Sequence, residues 1–501
     1  MSSVGQEGVL RPARPAAPAN AWSLRAQRAQ GLLSRESPLI VAWGLLTGLW
    51  LYVGGGFAAD SWLTLLGGRE LLAHGVPHRD SLAILSHGHA WIDQQWLAQV
   101  FYYGLYKLGG LSLVSRANVL LFATAAGIGL VAARRRGASP SRVLVCALPA
   151  LLLTARFVRA EVPAQVLFML LLVLLVAESR HPSRRIALAF PLVVVWGNLH
   201  GSAVLGAAMV SLLGIVELTR ATRAPARRRV ARAAVLVVGA WPCLLLTPYG
   251  TGVLSYYRVT LVHPAFAKYV TEWQPPAFPS LWGGTLFAAA FLATGIVARR
   301  LRSFNGFELG VLVLTLLGAL LAVRSAIWFV YAVLVLVPRG LEEVWPQKPR
   351  RGRVSFRAAV STVVLGLCLV QLFQPVKNIG VRWPAAATAA VADAPRSDPS
   401  VRVFANDEYA DWLLFREPEL RGRIAFDGRW EILTPAQMTA VVDFLFQRTP
   451  RWARVARGYR VFVLDPEKNR GVVETYSRRR DMVVRYRDEH VVVFERRSPS
   501  L

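Results

Sequence analysis

Eleven apolar blocks recur along the chain, at residues 39–58, 111–133, 141–156, 162–178, 186–198, 201–219, 231–247, 280–298, 305–323, 325–339 and 357–375. A helix needs about 17 to 25 residues to cross a hydrocarbon core roughly 30 Å thick, and inside that core each backbone polar group must be satisfied within its own segment. The blocks therefore predict an α-helical polytopic membrane protein with about 11 transmembrane helices. A membrane β-barrel would show shorter segments of alternating polarity. Composition agrees, with 54% apolar and 18% charged residues.

Charge gives an independent test of the threading. The net charge of +28 suggests nucleic acid only until the arginines are placed. They cluster between apolar blocks, as the positive-inside rule requires of cytoplasmic loops. With the N-terminus cytoplasmic, the clusters Arg134–Arg136, Arg180/Arg184/Arg185, Arg227–Arg229, Arg299/Arg300/Arg302 and Lys348–Arg353 all fall on that side. No nucleic-acid partner is expected, and the partner in contact with most of the surface is the lipid bilayer. The stretch Trp96–Leu111 is apolar but too short to cross before Lys107 and Gly109–Gly110, so it is expected to lie at the outer interface with Trp96, Tyr102, Tyr103 and Tyr106 as anchors. Cys146, Cys243 and Cys368 lie far apart within apolar blocks and are expected to pack there.

Four segments follow: a disordered cytoplasmic tail at 1–37, a membrane domain at 38–375 with a large first external loop at 59–110, an Ala/Pro-rich linker at 376–395, and a small soluble α/β domain at 396–501. The last reads as strand VRVFA, helix EYADWLLF, strand GRIAFDG, helix PAQMTAVVDFLF, strand YRVFVLD, helix GVVETYS and a terminal hairpin. From Val376 on, 22 basic face 17 acidic residues, so no nucleic-acid face is indicated.

The threading sends the unusual polar motifs to one face, in outer connections at 59–110, 157–161, 199–200, 248–279 and 324. Ionisable groups near membrane depth are costly and usually line a cavity or pair with each other, although an arginine at a helix end also reaches water by snorkelling. The set suits group transfer from a lipid-linked phosphate. Asp60, just past the first apolar block, is placed to take a proton from an acceptor hydroxyl or to hold a divalent cation (Mg or Mn), and Glu161 to share that cation or orient the acceptor. Arg159, His200, Arg324 and Lys268 are placed to neutralise the departing phosphate. Asp80, His89, Asp93, Trp96, Tyr249, Glu272 and Trp273 are further candidates for substrate contact in the outer loops.

An Asp after the first span, the loop LLAHGVPHRDSLAILSHGHAWIDQQWLAQVFYYGLYKLGGL, then WGNLHGSAVLG, TPYG, TEWQPP and FDGRWEIL resemble bacterial polytopic proteins related to the GT-C glycosyltransferases, the superfamily of protein mannosyltransferases and oligosaccharyltransferases. The resemblance implies an inverting enzyme of the bacterial cell (inner) membrane. Such an enzyme takes a polyprenyl-phosphate-linked sugar and passes it to an envelope glycan, lipid or protein on the outer face, with Asp60 at the first-loop acid and Glu161 at the second acidic motif. The chain departs from the family pattern in having Asp60–Ser61 rather than paired acids, QQW at Gln94–Trp96, and no WWDYG motif. The alternatives are a non-catalytic envelope-assembly scaffold, for which FDGRWE is the natural contact, and a lipid or glycan transporter, which a readable inverted repeat would favour.

Overall fold

The computed structural model describes residues 21–53, 56–153, 157–221, 227–262, 268–346, 354–374, 383–398 and 400–497. Its helices are α1 (Ala21–Arg35), α2 (Ser37–Val53), α3 (Ala59–His74), α4 (Trp96–Arg135), α5 (Pro140–Leu152), α6 (Glu161–Arg180), α7 (Ala189–Leu199), α8 (Ala203–Ala221), α9 (Arg227–Cys243), α10 (Val253–Val262), α11 (Leu281–Arg299), α12 (Gly306–Leu321), α13 (Ala326–Val344) and α14 (Val354–Gln371), then α15 (Ala385–Ser397), α16 (Asp407–Arg416), α17 (Pro435–Phe446) and α18 (Arg470–Ser477). Among the described residues every apolar block is helical over most of its length. Among the described residues six helices are long and apolar enough to cross a membrane, and the α1–α2 pair, bent by 75°, makes a seventh when counted as one span. The chain is thus a multi-pass helical membrane protein.

The bundle centres on α13. Its run from Ala326 to Pro338 is buried throughout, as expected of a helix that is apolar on all sides and therefore needs neighbours all round. It packs against α4, α5, α6, α11 and α12. Some arginines expected in cytoplasmic loops meet buried acids at the helix ends. Arg136 and Arg180 both clasp Glu308, at 2.8 and 2.7 Å, so that buried carboxylate is compensated.

The C-terminal domain is built on a four-stranded sheet of β1 (Val403–Ala405), β2 (Val461–Leu464), β3 (Met482–Arg487) and β4 (Val492–Arg496), in the order β1-β2-β4-β3. The β1–β2 pair is parallel and the others antiparallel.

Four expectations are corrected. Part of the tail is ordered as α1, which packs against α14. The linker contains α15, whose Ala387 and Val391 are buried. GRIAFDG forms no strand of the sheet; Ile424 instead makes isolated bridges to Val403 on one side and to Ala83 of the first loop on the other. The first loop itself opens with a helix, α3, hidden in the sequence by the paired glycines of LLGGRE. These glycines have a steric role. A Cβ on Gly67 would sit 1.9 Å from the Gln99 side chain, and one on Gly68 2.3 Å from the Gln99 carbonyl, so α3 can touch α4 only with glycine there. The break foreseen after Lys107 is present as a kink in α4 at Gly109–Gly110, where Gly110 takes φ 61°.

On its other side α3 is fastened to the C-terminal domain. Trp62 is buried against Trp383 (5.5 Å) and Phe415 (5.6 Å), and Arg69 Nη1 donates to the Phe415 carbonyl at 2.7 Å. The backbone adds a zipper, in which Ile84 and Leu85 donate to the carbonyls of Ile424 and Ala425 at 2.8 and 2.9 Å, and Gly422 to that of Leu82 at 2.8 Å.

Candidate functional site

Two loop segments bring the first charges together. Val158 N donates to Gly56 O at 3.1 Å, and the buried Ser61 hydroxyl donates to Val158 O at 2.7 Å. This pairing fixes the start of α3 against the turn that carries Arg159. Asp60, in the first turn of α3, then faces Arg159 across 3.3 Å, while the same guanidinium donates to Glu272 at 2.6 Å. Burial works against the Arg159 charge, but the charges of Asp60 and Glu272 outweigh it and raise its pKa. Burial likewise opposes ionisation of Glu272, yet Arg159, with Arg324 beyond it, holds its carboxyl below the usual range.

A second group abuts the first. Val323 N donates to Gln274 O at 2.9 Å, tying the turn Thr271–Trp273 to the turn Val323–Ser325. Arg324 therefore lies over the Trp273 ring, 4.8 Å from its centroid, with one Nη 3.4 Å from His200 Nε2 and 4.0 Å from Glu161. Burial, then Arg324 and Arg159, hold the His200 imidazole well below its ordinary pKa, so it is neutral at physiological pH. The Ser202 N–H donates to its Nδ1 at 3.2 Å.

These groups line one polar cavity of about 120 Å³, together with Thr64, Gln95, Gln99, Tyr256, Trp430 and Glu431. An apolar cavity of about 340 Å³ adjoins it, sharing the wall of Glu161, His200, Tyr256, Trp273 and Arg324 and continuing between Leu205 of α8 and Leu314, Leu317 and Leu321 of α12. Chemically, the pair of cavities is a charged chamber with a greasy annex, divided by a guanidinium and a neutral imidazole.

Of the residues singled out in the sequence, Asp60, Arg159, Glu161, His200, Glu272, Trp273 and Arg324 meet in this chamber. The others lie elsewhere. Lys268 is exposed, its ammonium 5.3 Å from the centre of the Tyr269 ring. Asp80 is buried and paired with Arg429 at 2.7 Å; His89 Nδ1 meets the Ile432 carbonyl at 2.8 Å. Trp96 donates to Asn198 at 2.8 Å, and Gln94 to the Gly197 carbonyl at 2.9 Å, which fastens QQW to GNLHG. Asp93 accepts from Gln99 at 2.9 Å and is pushed up to about 7, chiefly by burial. Tyr249 packs edge-on to His78. Among the described residues no group of three or more His, Cys, Asp or Glu side chains is arranged to hold a metal ion. Asp60 has a guanidinium where a cation would sit, so the donor set does not fit one.

Sequence reasoning missed Glu431, Tyr256, Gln95, Gln99 and Thr64. For Glu431 the motif FDGRWE was the available signal and for Gln95 the QQW of the first loop; for the others there was none.

No protein-family model and no curated sequence matches the chain. Solved structures do. ArnT from Cupriavidus metallidurans bound to undecaprenyl phosphate superposes with a TM-score of 0.50 at 15% identity, over 91% of this chain and 97% of that one. The archaeal oligosaccharyltransferase AglB from Archaeoglobus fulgidus, in complex with an inhibitory peptide and a dolichol-phosphate, gives 0.50 at 12% identity, over 88% and 70%. The mycobacterial arabinofuranosyltransferase AftD gives 0.51 at 14% identity, over 92% of this chain and 42% of that one.

Proposed function

Starting from the GT-C glycosyltransferase fold that the chain has, we propose that it is a glycosyltransferase of the bacterial cell membrane, with eleven crossings, its N-terminus in the cytoplasm and its α/β domain outside. It moves a sugar from a polyprenyl-phosphate donor to an envelope glycan, lipid or protein. One observation carries the reading: Arg324 and His200 stand on the wall between the charged chamber and the apolar cavity. A lipid phosphate has that same division, a charged head on a hydrocarbon chain.

In this reading the isoprenoid chain occupies the apolar cavity and the phosphate rests on Arg324. As the bond to the sugar breaks, negative charge grows on the phosphate oxygen, and a fixed guanidinium in a poorly solvated site stabilises that charge more in the transition state than before it. Neutral His200 donates or accepts a hydrogen bond there without adding charge. The sugar extends into the chamber toward Asp60 and Glu161. Asp60, held by Arg159, receives or orients the acceptor hydroxyl. No step runs through a metal ion.

The test uses the full chain in nanodiscs with decaprenyl phosphate as probe. Arg324→Ala is expected to weaken binding by about 10- to 100-fold, the worth of a charge-assisted contact of roughly 1.5–3 kcal/mol. In cells, Asp60→Asn with Glu161→Gln is expected to remove one sugar from the envelope while the protein still reaches the membrane. An unchanged envelope with unchanged decaprenyl phosphate binding would sink the reading.

A further inference from the structure

The chamber contains four carboxylates, and three of them face an arginine. Asp60 lies 3.3 Å from Arg159, Glu272 2.6 Å from the same group, and Glu161 4.0 Å from Arg324. The Arg159 guanidinium thus already engages Asp60 and Glu272 and holds the Glu272 carboxyl below its usual range. The fourth, Glu431, comes from the outer domain, and among the described residues no side chain forms an ion pair with it. It lines the same chamber as Asp60 and Arg324.

Its position is fixed from three sides. Arg429, two residues earlier, donates to Asp427 at 2.9 Å and to Asp80 of the first loop at 2.7 Å. Trp430 Nε1 donates to Asp407 at 3.0 Å, and the Ile432 carbonyl meets His89. The turn Trp430–Ile432 also packs on α10. A side chain with this much support and no ion-pair partner among the described residues is the pattern expected of a working group rather than a structural one.

We propose that Glu431 is the general base that activates the acceptor, and that Asp60, with Arg159 and Glu272, is a positioning group. This rests on the glycosyl-transfer reading above and places the acceptor on the outer-domain side of the chamber. The acceptor O–H bond breaks and its proton passes to a Glu431 carboxylate oxygen. The freed electron pair on oxygen forms the bond to the anomeric carbon. The bond from that carbon to the phosphate oxygen breaks, its electron pair staying with the phosphate beside Arg324, and the proton later leaves Glu431 for water.

The electrostatics agree. Burial, with Asp427 and Asp60 nearby and only partial relief from Arg429, pushes the Glu431 carboxyl up to about 7, where a general base is most effective. Tyr256 on α10, Asp93 in the first loop and Asp407 on α16 are the other titratable groups around this turn. Of these, Asp93 is also pushed up to about 7, so it needs its own control.

The experiment follows sugar loss from a panel of decaprenyl-phosphate sugars (arabinose, mannose, glucose, galactose) incubated with the full chain in nanodiscs and envelope from cells lacking it. Glu431→Gln is expected to lower kcat by about 10² to 10⁴ with little change in donor KM and to abolish the acid limb near pH 7. Asp93→Asn should keep that limb. Glu431→Ala should regain rate with added formate, a rescue that a packing role cannot give. Decaprenyl phosphate binding by Glu431→Gln should match wild type, showing an intact fold. If Glu431→Gln retains wild-type rate and pH profile, Glu431 is not the base although sugar transfer stands. If the wild type neither binds decaprenyl phosphate nor consumes any donor, the glycosyl-transfer reading falls and the base with it.

Discussion

Two arginines near the chamber each stand between two carboxylates. Arg159 stands between Asp60 and Glu272, and Arg429 between Asp427 and Asp80. The chemistry is the same and the surroundings are not. Arg429 is 2% exposed and its partners 1% or less, whereas Arg159 is 25% exposed and Asp60 49%. The buried triad has its guanidinium over the Trp91 ring, 4.2 Å from the centroid, and locks the first loop to the C-terminal domain. The open one borders a chamber and keeps one side free for a guest. Burial, not residue type, separates a lock from a site.

The largest effect should come from the lock. Arg429→Ala leaves two buried carboxylates uncompensated and is expected to cost about 3–5 kcal/mol, read as a lower denaturation midpoint of the detergent-solubilised chain. Asp60→Asn should leave that midpoint in place and reduce sugar transfer by on the order of 10²-fold, the usual penalty for misplacing a reacting group. Equal losses of stability in both variants would erase the distinction. Arg159→Ala is expected to cost about 1 kcal/mol or less in stability, since its pairs are partly solvated.

The pH responses should differ in sign. Despite burial, Arg429 and the hydrogen bonds from Leu82 and Ser86 hold the Asp80 carboxyl low. Its stabilising contribution is therefore complete above the unfolded value of about 3.9 and is lost only as pH falls through the lower folded value. Glu431 is raised to about 7 in the fold, so the folded state binds more protons, and its effect on stability becomes less favourable as pH rises from about 4.3 toward 7. Glu431→Gln should flatten that slope. Smallest of all, removal of divalent cations by EDTA is expected to leave transfer unchanged, because Asp60 already faces Arg159.

The helices were legible because apolar length is a direct physical requirement of a bilayer. So were seven of the chamber residues, since charges at the ends of apolar blocks are expensive enough to need a reason. Lys268, Asp80, His89, Trp96 and Tyr249 carried the same signal of polarity in an outer loop, but a sequence does not say which partner a side chain meets. Asp80 met Arg429, some 349 residues away, and became part of the lock. Helix α3 was obscured because glycine usually weakens helices, while here close contact with Gln99 requires it. Glu431 was hidden by its address in a soluble domain, since nothing local shows that the domain reaches back to the membrane face.

The backbone zipper between residues 82–85 and 422–425 also sets a rule for engineering. Because the two strips share hydrogen bonds, the C-terminal domain has no clean boundary at residue 396. A chimera that swaps this domain between relatives must transplant the first loop with it, as two pieces of chain that form a single exchangeable part.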